Sequence, residues 1–318
     1  MTKPKTESDT ATLHDATVLV TGGAGFIGSH IADALVDEND VRILDNLSNG
    51  SRSNLPDDAT LIEGDIRDPV AVRTAMQDVD VVFHQAALIS VPESIERPQA
   101  SQQTNAVATL ELLEAARRED ARLVLASSVA IYGTPETMPV SESAPKDPQS
   151  PYGVDKLTAD LYARLYHDLH GVETVVLRYF NVYGPRQSGG AYSGVIDTFL
   201  EQAIAGQPIT VHGDGDQTRD FVHVDDVVHA NLAAATTDHV GRAFNIGTGE
   251  SITIRELAAL VQDTTDSASE IVHTEGRAGD VQRSRAELTR ARTELGYEPS
   301  NSLEAALEAL VPGLVEAD

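Results

Sequence analysis

A tyrosine and a lysine four positions apart, Tyr152 and Lys156, have the types and spacing needed for proton chemistry. Apolar residues recur after them at helical spacing, so both side chains would lie on one face of a helix, one turn apart. A tyrosine ordinarily titrates near pH ~10, and a desolvated ammonium nearby favours the phenolate. The pair predicts a general acid–base site, although such pairs are also common on exposed helices.

A glycine-rich turn lies between a predicted strand, 16–21, and a predicted helix near the start of the chain. Gly22 permits a tight turn, Gly25 allows the backbone to approach a pyrophosphate, and Gly28 allows the helix to pack on the strand. The first turn of the helix offers unpaired N–H groups to an anion. This arrangement predicts a dinucleotide site.

Asp45 ends the next predicted strand, about 20 residues after the glycines. A carboxylate there can accept hydrogen bonds from both ribose hydroxyls and repels a 2′-phosphate, which favours NAD over NADP. Alternatively, Asp45 only begins the turn 45–50.

Further strand-like runs end near Asp65, Ala86 and Ser128, and helical patterns separate them. Alternating strands and helices predict an α/β fold with a Rossmann-type, doubly wound parallel sheet. Because ligands bind at the carboxyl ends of such strands, Ala86 and Ser128 are expected to face the cofactor.

Bulk composition excludes several functions. The 23 basic and 50 acidic residues give a net charge of −27, with the acids scattered along the chain, so neither nucleic acid nor an anionic membrane is an expected partner. The chain has no cysteine, no membrane-length apolar run and no signal-peptide pattern, so we expect a cytoplasmic protein. The acidity is typical of proteins from salt-loving organisms, or of an ordinary acidic enzyme.

Nine motifs occur in one order along most of the chain: TGGAGFIG (21–28), DNLSNG (45–50), GDIRD (64–68), HQAA (84–87), SSVAIYG (127–133), YGVDK (152–156), RYFNVYGPRQ (178–187), GDGDQTRDFVHVDD (213–226) and NIGTG (245–249). In these motifs the chain resembles the extended short-chain dehydrogenases/reductases, and within them the NAD-dependent sugar-nucleotide 4-epimerases of the UDP-glucose 4-epimerase kind. The position that often holds leucine in HLAA is Gln85 here, which we expect to be a harmless change at the sheet edge.

The resemblance implies roles for individual residues. Tyr152 is implied as the acid/base, Lys156 as its pKa-lowering partner, Ser128 as a hydroxyl that bonds the substrate, and Asn105 as a structural asparagine. The implied NAD-binding residues are Gly22, Gly25, Phe26, Ile27, Gly28, Asp45, Asn46, Asp65, Ile66, Ala86, Ala87, Tyr152 and Lys156.

Substrate residues are implied in the second half of the chain. Asn181 would contact the phosphate or sugar, and Arg219 and Arg277 would hold the diphosphate, since guanidinium groups bind phosphate oxygens bidentately. Ser284 occupies a position where a bulky residue restricts the pocket to plain hexoses, and its small size predicts that N-acetylated sugars also fit. An exposed loop position for Ser284 is the alternative.

The implied reaction is 4-epimerisation of a UDP-hexose through a 4-keto sugar, with NAD retained. The 4,6-dehydratases carry an Asp-Glu pair where this chain has Val129 and Ala130, which argues against dehydration. Epimerisation of a uronic acid and a catalytically silent NAD-binding regulator remain alternatives. The histidines show no metal-ligand pattern, so no metal is expected.

Domain organisation is also implied. We expect a disordered tail at 1–15, an NAD-binding domain from 16–180 and 221–247, and a smaller C-terminal α/β nucleotide-sugar-binding domain from 181–220 and 248–318. The glycine-rich stretch 187–194 is a candidate substrate loop. Wide apolar stripes on the predicted helices 98–118 and 152–169 indicate a homodimer through a four-helix bundle.

Overall fold

A parallel sheet forms the centre of the molecule, in a computed structural model that describes residues 13–187, 194–276 and 281–315. The predicted tail at 1–15 lies largely outside these residues. The strands are β1 (Thr17–Thr21), β2 (Asp40–Asp45), β3 (Thr60–Glu63), β4 (Val81–His84), β5 (Arg122–Ser128), β6 (Thr174–Tyr179), β7 (Asn181–Tyr183), β8 (Ile209–His212), β9 (Thr218–Arg219), β10 (Phe221–His223), β11 (Arg242–Ile246), β12 (Ile252–Thr253) and β13 (Ile271–Thr274).

The helices connect these strands. They are α1 (Phe26–Leu35), α2 (Pro69–Ala75), α3 (Val91–Glu96), α4 (Pro98–Gln102), α5 (Ala108–Glu119), α6 (Pro151–His170), α7 (Val195–Ile204), α8 (Val224–Thr236), α9 (Ile254–Thr264) and α10 (Leu303–Val315). A π-helical turn, Gln103–Val107, joins α4 to α5, and a short 3₁₀ helix, Val129–Tyr132, follows β5.

Strand order in the seven-stranded sheet is β3-β2-β1-β4-β5-β6-β11, with every pair parallel. The order reverses between β1 and β4, and the carboxyl ends of these strands therefore flank the crevice where such sheets bind ligands. The interior strands are rich in valine and leucine because helices cover both faces. The prediction of a Rossmann-type doubly wound sheet is confirmed.

Two apolar cores lie on the two faces of the sheet. Ile31 of α1 and Ala230 of α8 are fully buried in one of them. Leu112 of α5 and Ala163 of α6 are buried in the other. Helices α1 and α8 therefore cover one face, and α2, α5 and α6 cover the opposite face.

A third apolar core lies outside the large sheet. It joins α7, α9 and α10, with Phe199, Leu257 and Leu307 buried in it. Strands β7 and β10 pair beside it, as do β8 with β13 and β9 with β12. The chain leaves the large sheet after β6 and returns to it with β11, which pairs with β6. Along the described ranges, no helix is both long and apolar enough to cross a membrane.

Candidate active site

The glycine turn after β1 forms an open cradle of backbone. Gly22 has φ +68°, and a Cβ there would lie 2.7 Å from the backbone nitrogen of Ala86. A Cβ on Gly28 would lie 2.3 Å from the carbonyl oxygen of Gly22, so the close contact between α1 and the turn requires glycine. Gly25 precedes α1, whose first N–H groups point towards this space. The turn has the geometry expected of a pyrophosphate site.

Asp45, at the end of β2, holds the turn in place. Its Oδ2 accepts a hydrogen bond from the Ala24 backbone N–H at 3.0 Å, and its Oδ1 accepts one from Leu47 at 2.8 Å. Each carboxylate oxygen has a further lone pair available for a ribose hydroxyl.

Asp65, which follows β3, is held by an arginine that the sequence analysis did not single out. Arg67 donates to both carboxylate oxygens of Asp65, at 2.8 and 2.6 Å, and Asn46 donates to Oδ2 at 3.0 Å. The hydrogen bonds from Arg67 hold the pKa of Asp65 well below its usual range. The Asp65 carboxylate therefore stays ionised, with its charge offset by Arg67. Arg67 stands in the GDIRD motif, so its proximity to Asp65 in the sequence was an available signal.

Tyr152 and Lys156 lie in the first two turns of α6. The helix begins after Ser150, whose Oγ accepts a hydrogen bond from Gly153 N–H at 3.1 Å, and Pro151 occupies its first position. Lys156 Nζ donates to the carbonyl oxygen of Ala126 at 2.9 Å and lies 6.0 Å from the ring centroid of Tyr152. The predicted placement of both side chains on one helix face is the placement seen.

The pKa of Tyr152 differs from the sequence-based expectation. Burial raises the pKa of the phenol above its ordinary value, and a hydrogen bond with Ser128 only partly opposes this. Burial also lowers the pKa of Lys156 to about 8, with Asp155 acting in the opposite direction. The protein's own groups therefore favour the neutral phenol, because desolvation outweighs the hydrogen bond with Ser128.

Asn105 lies in the π-helical turn and is 2% exposed. Its Nδ2 donates to the carbonyl oxygen of Leu88 at 2.9 Å, and its Oδ1 accepts from Leu88 N–H at 2.8 Å. This two-point contact fixes the backbone that follows Ala86 and Ala87. Asn105 therefore positions the wall of the site rather than facing its interior.

His84, the last residue of β4, is a buried histidine with both ring nitrogens satisfied. Nδ1 lies 2.7 Å from Thr21 Oγ1, and Nε2 lies 2.9 Å from Thr109 Oγ1. Burial lowers the pKa of His84 to about 3, so it is neutral. No cluster of candidate metal ligands occurs in the part of the chain that the structure describes.

A cavity of about 580 Å³ runs along the carboxyl ends of the strands. Fourteen predicted catalytic or cofactor residues line it: Gly22, Gly25, Phe26, Ile27, Gly28, Asp45, Asn46, Asp65, Ile66, Ala86, Ala87, Ser128, Tyr152 and Lys156. Several residues that the sequence analysis did not assign also line it, among them Ser48, Arg67, Gln85, Glu93, Arg97, Ser127, Tyr179, Phe180 and Gln187.

Ser127 is an orphaned polar group in this cavity. The residue is 3% exposed, and its Oγ has no hydrogen-bond partner among the described residues. An unsatisfied buried hydroxyl costs about 1–3 kcal/mol, which a bound ligand would relieve. Together with the glycine cradle and the Asp45 carboxylate, this hydroxyl fits a nicotinamide dinucleotide.

Of the predicted substrate residues that the structure describes, Ser128 lines this cavity, whereas Asn181, Arg219 and Ser284 do not. Asn181 donates from both its backbone N–H and its Nδ2 to the carbonyl oxygen of Asp220. Arg219 donates to the carbonyl oxygens of Thr218 and Val281, at 2.8 and 2.6 Å. Arg277 lies outside the described residues, as does most of the candidate loop 187–194.

Ser284 is 4% exposed, so the alternative of an exposed loop position is wrong. Its Oγ also has no partner among the described residues. Two residues further on, the backbone N–H of Ala286 donates a hydrogen bond to the buried carboxylate of Asp220 at 2.9 Å. The backbone of Ala286 also pairs with that of Val140 in an isolated parallel β-bridge. Ser284 therefore lies beside an anchored segment of backbone.

Comparison with known proteins defines the class. The model of the NAD dependent epimerase/dehydratase family matches residues 18–247, and the chain belongs to that family. NAD is accordingly its cofactor. A UDP-glucose 4-epimerase of Mycolicibacterium smegmatis is 39% identical over 294 residues, covering 90% of this chain and 94% of that protein.

Solved structures agree with this assignment. One is a UDP-N-acetylglucosamine 4-epimerase from Methanobrevibacter ruminantium M1, in complex with UDP-N-acetylmuramic acid. It superposes with a TM-score of 0.93 at 36% sequence identity, and the match covers 96% of this chain and 100% of that chain. A UDP-glucose 4-epimerase from Thermotoga maritima, with UDP-glucose, has a TM-score of 0.92 and 37% identity, covering 95% and 99% of the two chains.

Proposed function

We propose that this protein is an isomerase that interconverts the 4-epimers of a UDP-hexose through a transient 4-keto sugar. The observation that carries the proposal is the convergence of Ser128, Tyr152 and Lys156 at one end of a cavity whose other end has the dinucleotide cradle. The names of similar proteins support UDP-sugars as the substrate class.

The side chains have distinct tasks in this reaction. NAD, held by the glycine turn, Asp45 and Lys156, would supply the hydride acceptor and donor for C4 of the sugar. Tyr152 Oη removes the proton from the 4-hydroxyl and later gives it back, while Ser128 hydrogen-bonds Tyr152 and holds it in place. Lys156, fixed by the Ala126 carbonyl, places a positive charge beside the phenol when the base form is needed.

Dehydration is disfavoured by the residues that follow Ser128. Val129 and Ala130 form the start of a 3₁₀ helix, and neither side chain can act as an acid or a base. Elimination of water from the sugar needs an acid and a base at these two positions, which the Asp-Glu pair supplies in the 4,6-dehydratases. The aliphatic side chains leave Tyr152 as the acid–base group at this end, which suits epimerisation.

A uronic acid substrate is disfavoured by charge. Two of the described arginines line the cavity: Arg67 is paired with Asp65, and Arg97, which directly follows α3, donates a hydrogen bond to Glu93 at 2.8 Å. Each carboxylate offsets the guanidinium charge of its partner, so these pairs give little attraction for a sugar carboxylate. A plain or N-acetylated hexose carries no such charge.

Ser284 is the residue that we propose limits the size of the sugar the pocket accepts. We propose that its small, buried side chain admits UDP-GlcNAc and UDP-GalNAc in addition to UDP-glucose and UDP-galactose. The Ser284→Tyr variant should lose at least about tenfold in kcat/KM for the acetylated pair, because the added ring fills the space of the acetyl group, and should retain the plain pair. Equal losses for both pairs would show that Ser284 does not set sugar size.

Product analysis tests the proposed reaction. The purified protein is incubated in molar KCl with UDP-glucose, UDP-GlcNAc or UDP-glucuronic acid, with no added NAD, and the sugars are separated by chromatography. A 4-epimer from a hexose substrate, formed with cofactor that co-purifies, is the expected result. No epimer from any of the three, even with NAD supplied, would favour the dehydratase or regulator alternatives.

A further inference from the structure

A buried polar cluster lies behind the reacting end of the cavity. It consists of Gln85, which directly follows β4, Tyr179 at the end of β6, and Asn231 on α8. Tyr179 is 6% exposed and Asn231 is fully buried, while Gln85 and Tyr179 both line the cavity. From the sequence alone, Gln85 is expected to be a harmless change at the sheet edge, but in the structure its side chain contacts Tyr179 of β6 and Asn231 of α8.

The donors and acceptors of this cluster can be assigned. Asn231 Nδ2 donates to the carbonyl oxygen of Val227 at 2.7 Å and to Tyr179 Oη at 2.8 Å, which uses both its hydrogens. Tyr179 Oη lies 3.4 Å from Gln85 Oε1 and 3.1 Å from Asn231 Oδ1, and Gln85 Nε2 lies 3.2 Å from both Asn231 Oδ1 and Tyr179 Oη. A ring in which each group donates once then runs from Asn231 to Tyr179, to Gln85 and back to Asn231.

This assignment leaves two unused groups on Gln85. The two acceptors of Nε2 lie only 3.1 Å from each other, so one of its hydrogens points at both, and the other hydrogen and one lone pair of Oε1 have no role in the ring. A donor and an acceptor side by side on one primary amide complement another primary amide. Because the side chain lines the cavity, both groups are available to a ligand there.

The cluster lies at the nicotinamide end rather than the adenosine end. Tyr179 is the register partner of Ser128 across β5 and β6, and Ser128 bonds Tyr152. Asp45 and Asp65 mark the opposite end of the cavity, beyond β1. The primary amide of NAD is the carboxamide of its nicotinamide.

We propose that Gln85 binds the nicotinamide carboxamide of NAD and that Tyr179 and Asn231 hold it in the orientation for this contact. The pairing helps retain NAD and its reduced form throughout the catalytic cycle. An apolar residue at this position, such as leucine, would leave both Asn231 Oδ1 and the carboxamide without this partner.

Cofactor exchange in the absence of sugar tests the proposal directly. Wild-type protein loaded with labelled NAD, or with 3-acetylpyridine adenine dinucleotide, which has an acetyl group in place of the carboxamide, is chased with excess unlabelled NAD. We expect wild type to release NAD about tenfold more slowly than the analogue, because the acetyl group keeps the carbonyl acceptor but lacks the N–H donor and so leaves Gln85 Oε1 without a partner. In Gln85→Leu the two release rates should become equal, mainly because NAD leaves faster.

Two further variants provide the controls. Gln202→Leu removes a comparable glutamine, one that bonds Thr210 between α7 and β8 and does not line the cavity, and should keep the wild-type ratio. Gln85→Met keeps the length of the side chain and is the deciding variant if Gln85→Leu does not fold. Tyr179→Phe should give an intermediate ratio, because it frees Gln85 without removing its amide.

Three results would overturn the assignment. One is that both Gln85 variants keep the wild-type ratio of analogue release to NAD release. Another is that Ser127→Ala loses this ratio while Gln85→Leu keeps it, which would show that the Ser127 hydroxyl binds the carboxamide instead. The third is a Gln85→Leu variant with unchanged cofactor release but a raised KM for the sugar. Because exchange is measured without sugar, failure of the proposed epimerase reaction leaves this test intact.

Discussion

At the residue scale, the site depends on Tyr152 and Lys156, whose pKa values are shifted mainly by burial. The phenol of Tyr152 is kept neutral by desolvation, and Lys156 is held by a single carbonyl with its pKa lowered to about 8. A positive nicotinamide ring beside the phenol would favour its ionised form, which links proton removal to the oxidised state of the cofactor.

Removal of the phenol hydroxyl should abolish turnover without unfolding the protein. Tyr152→Phe is expected to lower kcat by about 10²–10⁴-fold, the usual contribution of a general acid–base group, while NAD remains bound. Initial rates and bound-cofactor absorbance measure the two effects. Tyr162→Phe, an exposed tyrosine on the same helix, is the matched control. Epimerisation by Tyr152→Phe at the wild-type rate would remove Tyr152 from the mechanism.

Lys156 should contribute to the pH dependence of stability. Burial lowers its pKa from 10.5 to about 8, so between these pH values the unfolded chain binds more protons than the folded one. The free energy of unfolding should therefore rise with pH across this window, by at most about 3.5 kcal/mol. In Lys156→Met this increment should be missing.

Chemical unfolding in molar KCl at a series of pH values measures this difference. Wild type minus variant is the relevant quantity, because other groups that titrate near pH ~10 contribute equally to both proteins. If the curves of unfolding free energy against pH are parallel for the two proteins, Lys156 has an ordinary pKa in the folded state.

Sequence order accounts for the residues in contiguous motifs but not for those that meet only in space. Asp45 and the glycines are predictable because strand, turn and helix follow one another along the chain. Gln85, Tyr179 and Asn231 come from three distant segments, so only the fold shows that they form a ring. The rise in the pKa of Tyr152 also needs the fold, since burial decides its sign.

At the element scale, α6 has two functions. Its first two turns carry the catalytic pair, and its solvent side is unusually apolar, with Leu161, Leu165 and Leu169 at 51%, 44% and 65% exposure. These leucines recur every fourth residue and so form one stripe. We propose that this stripe packs against a second copy of the chain, in the four-helix bundle indicated by the sequence.

A charge in the middle of this stripe should separate the protomers. Leu165→Glu is expected to convert a dimer into a monomer, because it would bury an unpaired carboxylate at the interface. Size-exclusion chromatography with light scattering reports the mass. Val70→Glu, a change at an exposed valine on α2 that is 60% accessible, should leave the mass unaltered. A wild-type protein that is monomeric at micromolar concentration would rule out the proposed dimer.

Element types and order were predictable from apolar runs and turn residues, whereas local irregularities were not. The helical pattern from 98 to 118 contains a π-helical turn at Gln103–Val107, which places Asn105 against Leu88. Nothing in the residue types of this stretch distinguishes a π turn from an α turn, because the extra residue is accommodated by contacts with the neighbouring loop.

At the scale of the whole molecule, net charge should control stability. With 50 acidic and 23 basic residues, the folded chain concentrates negative charge that salt screens. The Debye length falls from about 10 Å at 0.1 M salt to about 3 Å at 1 M, so repulsion between carboxylates weakens over this range. The melting temperature should rise by several degrees between low and molar KCl. A melting temperature that is flat or falling with KCl would contradict the predicted salt requirement.

In the proposed reaction, the hydride that leaves C4 of the sugar returns to C4 of the same sugar. UDP-glucose carrying deuterium at C4 is incubated with the purified protein in molar KCl, without added NAD, and the product is examined by NMR and mass spectrometry. We predict UDP-galactose that retains deuterium at C4, since hydride leaves and returns within one active site. Epimer that has lost its deuterium, or no epimer from a protein that carries NAD, would contradict it.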